Sequence, residues 1–309
     1  ALCRSGQAAV AVGNVGHAFS EAVCGEANQS TTWAVCELSS FQAELPDGLG
    51  LDALIWSNFA EDHLERYLSF DDYFSAKANL LACLREGAPV VVGPDVYTRL
   101  QARGDAMGGY SLPESVGAEL SPHSVFAQLP QSLNLELAYT LWQQLGLNVR
   151  DLLAVADRFA LDAHRCARVG RLRGVEYWDD SKATNFHAAE AAIERMRLPV
   201  HWIGGGSAKG GDVVGFAQRI APKLEAAYVY GAVGVVLGEA LTAAGVRVVR
   251  FDRFADAVYA AAESAESAAP CAVLMSPGFA SFDQFLTYSE RGKSFISIVL
   301  SLMEPASLN

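Results

Sequence analysis

Short apolar runs rich in β-branched and aromatic residues recur along the chain at 32–36, 51–56, 89–92, 175–178, 199–203, 226–230, 246–251 and 271–275. Between them lie longer stretches in which apolar residues return every three or four positions, as on one face of a helix. This alternation predicts parallel strands joined by crossover helices, an α/β fold throughout. The last five runs follow one another at intervals of about 20 to 30 residues, the rhythm of βαβ units in a doubly wound sheet. Helices are predicted over 133–145 and 149–160, and the stretch 104–131, with its Gly, Pro and Ser, reads as loop or short strands. A domain boundary just after the second of these helices divides the chain into 1–161 and 162–309.

In open α/β sheets ligands bind in the crevice beyond the carboxyl ends of the strands, so the residues after each apolar run are where chemistry is expected. The first run leads into Glu37, and the second leads through Asn58 to Glu61, Asp62 and His63. A carboxylate and an imidazole thus fall at successive strand ends. An oxygen-rich set with one imidazole suits Mg2+ or Mn2+ and is too poor in Cys and His for structural zinc. Between 70 and 84 the apolar positions Phe70, Tyr73, Phe74, Leu80, Leu81 and Leu84 form one helical stripe, and Lys77 sits in the middle of it. A buried ammonium must pair, reach water along its own stem, lose its proton or be modified. Two readings stand for Lys77. In one, its stem covers the core while its head is solvated; in the other, it faces Glu37 and His63 and is converted by carbon dioxide to a carbamate, an anionic metal ligand.

The 309 residues are enough for about two domains with cores of their own. With 51% hydrophobic and 19% charged residues, the chain is too apolar to remain disordered. Its 23 Lys and Arg against 35 Asp and Glu leave a net charge of -12 with no basic run, so nucleic-acid binding is not expected. Six cysteines, at 3, 24, 36, 83, 166 and 271, form no C-x-x-C pair and have no His at zinc-finger spacing. They argue against a disulfide framework and for a reducing, cytoplasmic setting. No apolar run approaches the ~18 residues of a membrane span and no signal-peptide pattern opens the chain, so membrane insertion is not expected. The first residue is Ala rather than Met, which reads as the interior of a longer protein.

Several strings then fall in a recognisable order: Glu37-Leu-Ser-Ser-Phe-Gln42, Asn58 with Glu61-Asp-His63, Tyr73 with Lys77, and His164-Arg165. Asp180-Ser-Lys-Ala-Thr-Asn185, Ser276-Pro-Gly-Phe-Ala-Ser-Phe-Asp-Gln-Phe285 and Glu290-Arg-Gly292 follow. This order resembles that of the Mur ligases of peptidoglycan synthesis, over nearly the whole chain from Gly13-Asn14-Val15-Gly16 onward. The resemblance implies a partial central P-loop-type ATPase domain over 1–161, with a mostly parallel sheet, and a C-terminal Rossmann-like, amino-acid-binding domain over 162–309. It implies ATP and Mg2+ as cofactors, with UDP-N-acetylmuramoyl-L-alanine and D-glutamate as substrates. These are joined after ATP activates the muramoyl carboxylate as an acyl phosphate. By the same resemblance Glu37, His63 and a carbamylated Lys77 hold the metal, and Lys182 lies on the catalytic face. Asn134, Arg165 and Asp180 match nucleotide contacts, while Asn14 and Ser39 match contacts to the muramoyl substrate and phosphates. Thr184, Lys209 and Ser281 match the groups that grip the two carboxylates of D-glutamate. A monomer is expected.

The chain departs from the family pattern in places. No G-x-x-x-x-G-K-[ST] phosphate loop occurs; Gly292-Lys293-Ser294 has the last three letters, but Thr287 stands at the first glycine position and the segment reads as helix. The family keeps that loop shortly upstream of Gly13-Asn14, so this stretch by itself is not expected to turn over. The family's His-Asn-x-x-Asn becomes Pro130-Gln131-Ser132-Leu133-Asn134, and Tyr288 and Phe282 replace the commoner Phe and Leu near the amino-acid pocket. A ligase for another amino acid, or a paralogue without catalysis, are the alternatives. The glycine-rich 204–211 lacks full G-x-G-x-x-G spacing and is read as a strand-to-helix connection rather than a dinucleotide site.

Overall fold

The computed structural model describes residues 1–304 apart from 15, 27, 65, 105–108, 118, 119, 122, 123, 128 and 209. The chain divides into two compact units: Ala1–Phe59 with Tyr67–Ala160, and Ala60–Arg66 with Leu161–Asn309. Segment 60–66, which the sequence reading left in the first region, belongs to the second.

The first unit contains β1 (Ala9–Gly13), α1 (Phe19–Cys24), β2 (Trp33–Glu37), α2 (Ser40–Ala43), β3 (Leu54–Trp56) and α3 (Phe70–Ala78). β4 (Val90–Val92), α4 (Pro94–Ala102), β5 (Tyr110–Ser111), α5 (Gln131–Gln144) and α6 (Val149–Ala156) complete it. The strands form two small parallel sheets, β1-β2 and β3-β4-β5. Trp56, Phe74, Val90, Val92, Val96 and Leu100 make one core, and Leu135, Trp142, Leu152 and Ala156 a second. The helix predicted through 84 ends at Ala78, where a tighter 3-10 turn over Asn79–Cys83 takes over. Gly93 opens α4 because a side chain there would overlap the carbonyl oxygen of Ser57.

Parallel strands in α/β domains are ordinarily covered on both faces. β2 and β3 are not: Val35 is 54% exposed and Ile55 37%. β2 pairs only with β1 and β3 only with β4, and among the described residues no hydrogen bond joins β2 to β3. Residues 33–38 and 53–58 line one cavity of about 650 Å3, together with Leu141 and Trp142 of α5 and Leu145 just after it. Side chains alternate across a strand. An unbroken run of lining residues therefore means that each strand turns its unpaired edge to the cavity.

The second unit follows the predicted rhythm: β6 (Ala167–Leu172), β7 (Val175–Asp179), α7 (Phe186–Arg195), β8 (Val200–Gly205), α8 (Val213–Ile220) and β9 (Leu224–Tyr230). Then come α9 (Gly234–Ala243), β10 (Val248–Phe251), α10 (Phe254–Ser267), β11 (Cys271–Gly278) and α11 (Tyr288–Met303). One six-stranded sheet runs β10-β9-β8-β11-β7-β6, parallel except for β6, which pairs antiparallel at the edge. Alternation sorts its residues into two layers. Trp202, Ala227, Val229 and Leu274 pack against α7, α8 and α9; Ile203, Tyr228, Val273 and Met275 pack against α10 and α11. With every residue of β8 and β11 buried, these two strands are the centre of a doubly wound α/β/α sandwich.

Candidate functional site

In the first unit the ordered pairing of β1 with β2 sets Gly13 against Glu37 at their carboxyl ends. Gly13 has φ 107°. A Cβ there would overlap the Glu37 carbonyl oxygen, so only glycine lets the chain turn close over Glu37. Asn14 follows, donating its backbone N–H to that carbonyl at 2.8 Å and its side-chain amide to Glu37 Oε1 at 3.5 Å. Both side chains are exposed. Ser39 is the N-cap of α2, where its hydroxyl accepts from Gln42 N at 3.3 Å while Gln42 Oε1 accepts from Ser39 N at 2.9 Å. Lys77 is half-buried on α3, with Nζ 5.5 Å from the centroid of the Tyr73 ring. It lines the same cavity as Glu37, Ser57 and Asn58, which form the polar part of an otherwise apolar wall. Asn134 is exposed in the first turn of α5, donates to Gln131 Oε1 at 3.1 Å, and does not line that cavity.

In the second unit His63 stands in a left-handed turn (φ 56°) and its N–H donates to Asp62 Oδ1 at 2.9 Å. Asp62 Oδ2 accepts from Asn185 at 3.2 Å, and Asn185 caps α7 by accepting from Ala188 N. Asp62, Thr184, Asn185, Gly210, Gly211 and Phe279 line a small pocket of about 20 Å3, room for one water. Asp180, at the end of β7, is buried, accepting from Cys166 N at 2.9 Å and Ser276 Oγ at 2.7 Å. Burial pushes its carboxyl up from 3.8 to about 6, opposed by those two hydrogen bonds and by the Arg165 charge. Arg165 and Lys182 converge on Asp162 Oδ2, at 3.9 and 3.7 Å, and Lys182 Nζ also lies 5.5 Å from the Tyr288 ring centroid. Ser281 is buried with its carbonyl closing the turn to Gln284 and Phe285. Lys209 lies outside the described residues.

The shifted carboxyl carries a stability consequence with a definite sign. Because folded Asp180 holds its proton more tightly than the unfolded residue, its contribution is full below about pH 4 and is lost as pH rises through about 6. Asp180→Asn removes that dependence. Relative to wild type, the variant gains up to about 3 kcal/mol in urea unfolding between pH 4 and 7. Equal pH profiles for the two proteins would show that Asp180 titrates normally.

Sequence reasoning assigned no role to the neighbouring Asp179, His164 and Arg291. Asp179 Oδ2 lies 2.5 Å from His164 Nδ1, both residues are buried, and Asp179 Oδ1 accepts from Ser181 N at 3.0 Å. Two acidic residues in succession at the end of an apolar run were the available signal: on a strand one of them must point inward. Among the described residues no three His, Cys, Asp or Glu side chains form a metal cluster. Glu37 offers carboxylate oxygens, as Mg2+ prefers, and Mg2+ commonly takes only one or two protein ligands alongside substrate phosphates.

Two family models match the chain, the Mur ligase middle domain at residues 19–107 and the Mur ligase glutamate ligase domain at 164–277. A UDP-N-acetylmuramoylalanine–D-glutamate ligase from Synechocystis sp. is 30% identical over 327 residues, covering 97% of this chain and 72% of that protein. One of the same name from Desulfitobacterium hafniense is 31% identical over 320 residues, covering 96% and 70%. Among solved structures, MurF ligase from Thermotoga maritima in complex with ADP superposes with a TM-score of 0.66 at 14% identity, over 97% of this chain and 74% of that one. Folylpolyglutamate synthase from Mycobacterium tuberculosis with ADP gives 0.63 at 14% identity, over 86% and 68%. The structures establish the shared fold. With the domain matches and the length of the sequence matches, they lead to one conclusion: the chain belongs to the Mur ligase family of ATP-dependent ligases.

Proposed function

We propose that this chain supplies the central and C-terminal domains, 1–161 and 162–309, of a ligase that joins D-glutamate to UDP-N-acetylmuramoyl-L-alanine at the expense of ATP. The observation that carries this reading is the match over 97% of the chain to a relative bearing that name. In the proposed course ATP phosphorylates the muramoyl carboxylate, and the amino group of D-glutamate displaces phosphate from the acyl phosphate. Glu37, His63 and Lys77 as a carbamate would hold magnesium. When bound, magnesium supplies positive charge against the phosphate oxygens. Asn14 and Ser39 contact the muramoyl substrate and phosphates, with Ser39 held ready by its capping hydrogen bonds. Asn134, Arg165 and Asp180 bind the nucleotide. Lys182 adds a cation beside the reacting groups, and Thr184, Lys209 and Ser281 bind the carboxylates of D-glutamate. Phosphoryl transfer depends mainly on positioning and electrostatics, which suits a site of cations and short polar side chains at strand ends.

Phosphate release by the full-length polypeptide, with ATP, magnesium and the UDP-muramoyl substrate, tests the reading when amino acids are exchanged one at a time. Release that requires D-glutamate is the expected result. Release with a different amino acid only would reassign the substrate, and none with any would favour a paralogue without catalysis.

A further inference from the structure

Arg291, in the first turn of α11, has no exposed surface. Its Nε donates to Ser181 Oγ at 3.0 Å and one terminal nitrogen to Ser181 O at 2.9 Å. The other donates to Phe279 O at 3.1 Å and Tyr230 Oη at 3.3 Å. Ser181 Oγ passes its own proton on to Tyr288 O at 2.7 Å. All of the guanidinium's hydrogen-bond acceptors are neutral, and among the described residues no carboxylate forms an ion pair with it. Burying a cation without a counter-charge is costly, and where only packing is needed an apolar side chain of similar volume often does as well or better. What the fork supplies is direction: its planar donors fix four acceptors, on three residues, relative to one another.

Those acceptors belong to the ends of three strands. Ser181 follows β7 in the loop that carries Lys182 and Thr184; Tyr230 ends β9; Phe279 follows β11, two residues before Ser281. The loop after β8 rests on the same hub. Ser207 N donates to Ala280 O at 2.8 Å, and a Cβ on Gly206 would lie 3.3 Å from an Arg291 terminal nitrogen. We infer that Arg291 is a positioning residue that holds the strand-end loops bearing Thr184 and Ser281 at the spacing an acidic amino acid requires. The inference rests on the proposed glutamate-binding role of those loops.

Steady-state kinetics of the full-length polypeptide test it with Arg291→Met, Arg291→Lys, Tyr230→Phe and, as a packing control on the same helix, Val299→Ala. The expected pattern is a rise in KM for D-glutamate of about 30-fold for Arg291→Met and about 5-fold for Arg291→Lys, with KM for ATP changed less than about 3-fold. Val299→Ala, which lowers Tm without touching the fork, leaves both KM values near wild type. Parallel rises in both KM values for Arg291→Met, or the same glutamate effect in Val299→Ala, would overturn the inference in favour of general packing. Should Arg291→Met fail to fold, Arg291→Lys and Tyr230→Phe decide: a raised glutamate KM in both supports positioning, and unchanged values overturn it. A wild-type protein that releases no phosphate with D-glutamate overturns the parent reading, and this one with it.

Discussion

Lys77→Ala in the full-length polypeptide is expected to lower phosphate release by about a thousandfold, a loss of about 4 kcal/mol in transition-state stabilisation. The size of the effect follows from where the residue sits. Lys77 is half-buried in a helix whose stripe positions Tyr73 and Phe74 are core, as is Leu80 in the turn that follows, and it lines the cavity that Glu37 also lines. A stem that merely covered apolar surface would cost stability when shortened, with little direct effect on the chemistry. A carbamate at that position would add an anionic oxygen ligand, and its loss would then weaken both metal retention and charge neutralisation at the phosphates. The two roles separate cleanly in one experiment. Short carboxylic acids added to the alanine variant are expected to restore part of the rate, because a free carboxylate can occupy the space and supply the missing oxygens. An unrescued variant that binds magnesium normally would return Lys77 to the stem role.

The largest effect on stability is expected from Gly292→Ala, at about 3 kcal/mol or more in urea unfolding, because it leaves a fully buried polar group short of its hydrogen-bond partner. A Cβ at this position overlaps the imidazole of His164, within 2.7 Å of its Cγ. The ring has nowhere to go. It is held by Asp179 at 2.5 Å on one side, approached by Ser289 Oγ at 3.4 Å on the other, and carried on a backbone already in the left-handed region at φ 65°. Moving it strands the fully buried Asp179 carboxylate, whose remaining hydrogen bond comes from Ser181 N. A gain, which a Gly-to-Ala change accommodated by a helix ordinarily gives, or a loss below about 1 kcal/mol would show that the ring relaxes without breaking the contact.

The second unit was legible in the sequence because its central strands are buried on both faces and therefore read as continuous apolar runs. β6 escaped notice for the opposite reason: Ala167–Leu172 carries two arginines and a glycine, as an antiparallel edge strand permits. β1 was missed because its alternation is of Ala with Val, too small a contrast to stand out. Glu37 was found by the strand-end rule, which needs only topology, whereas Asp180 came from the resemblance of its Asp-Ser-Lys-Ala-Thr-Asn string. The Asp179 and His164 pair was not, since its existence depends on a positive φ and on a glycine more than a hundred residues later. Arg291 reads as an ordinary helical charge until the three strand ends around it are known. Nor does any local pattern say that 60–66 belongs with the second unit, because that assignment is made by long-range contacts alone.

The bare rims of β2 and β3 have a practical consequence for anyone handling this polypeptide. Each is a row of amide hydrogens and carbonyls awaiting a ladder, and the greasy bed between them rewards whatever extended chain lies down there. When this stretch is handled by itself, association is expected to begin at those rims, opposed by the net negative charge. Charged residues at the exposed Val35 and Ile55 are the natural gatekeepers to install when a concentrated, monodisperse sample is wanted.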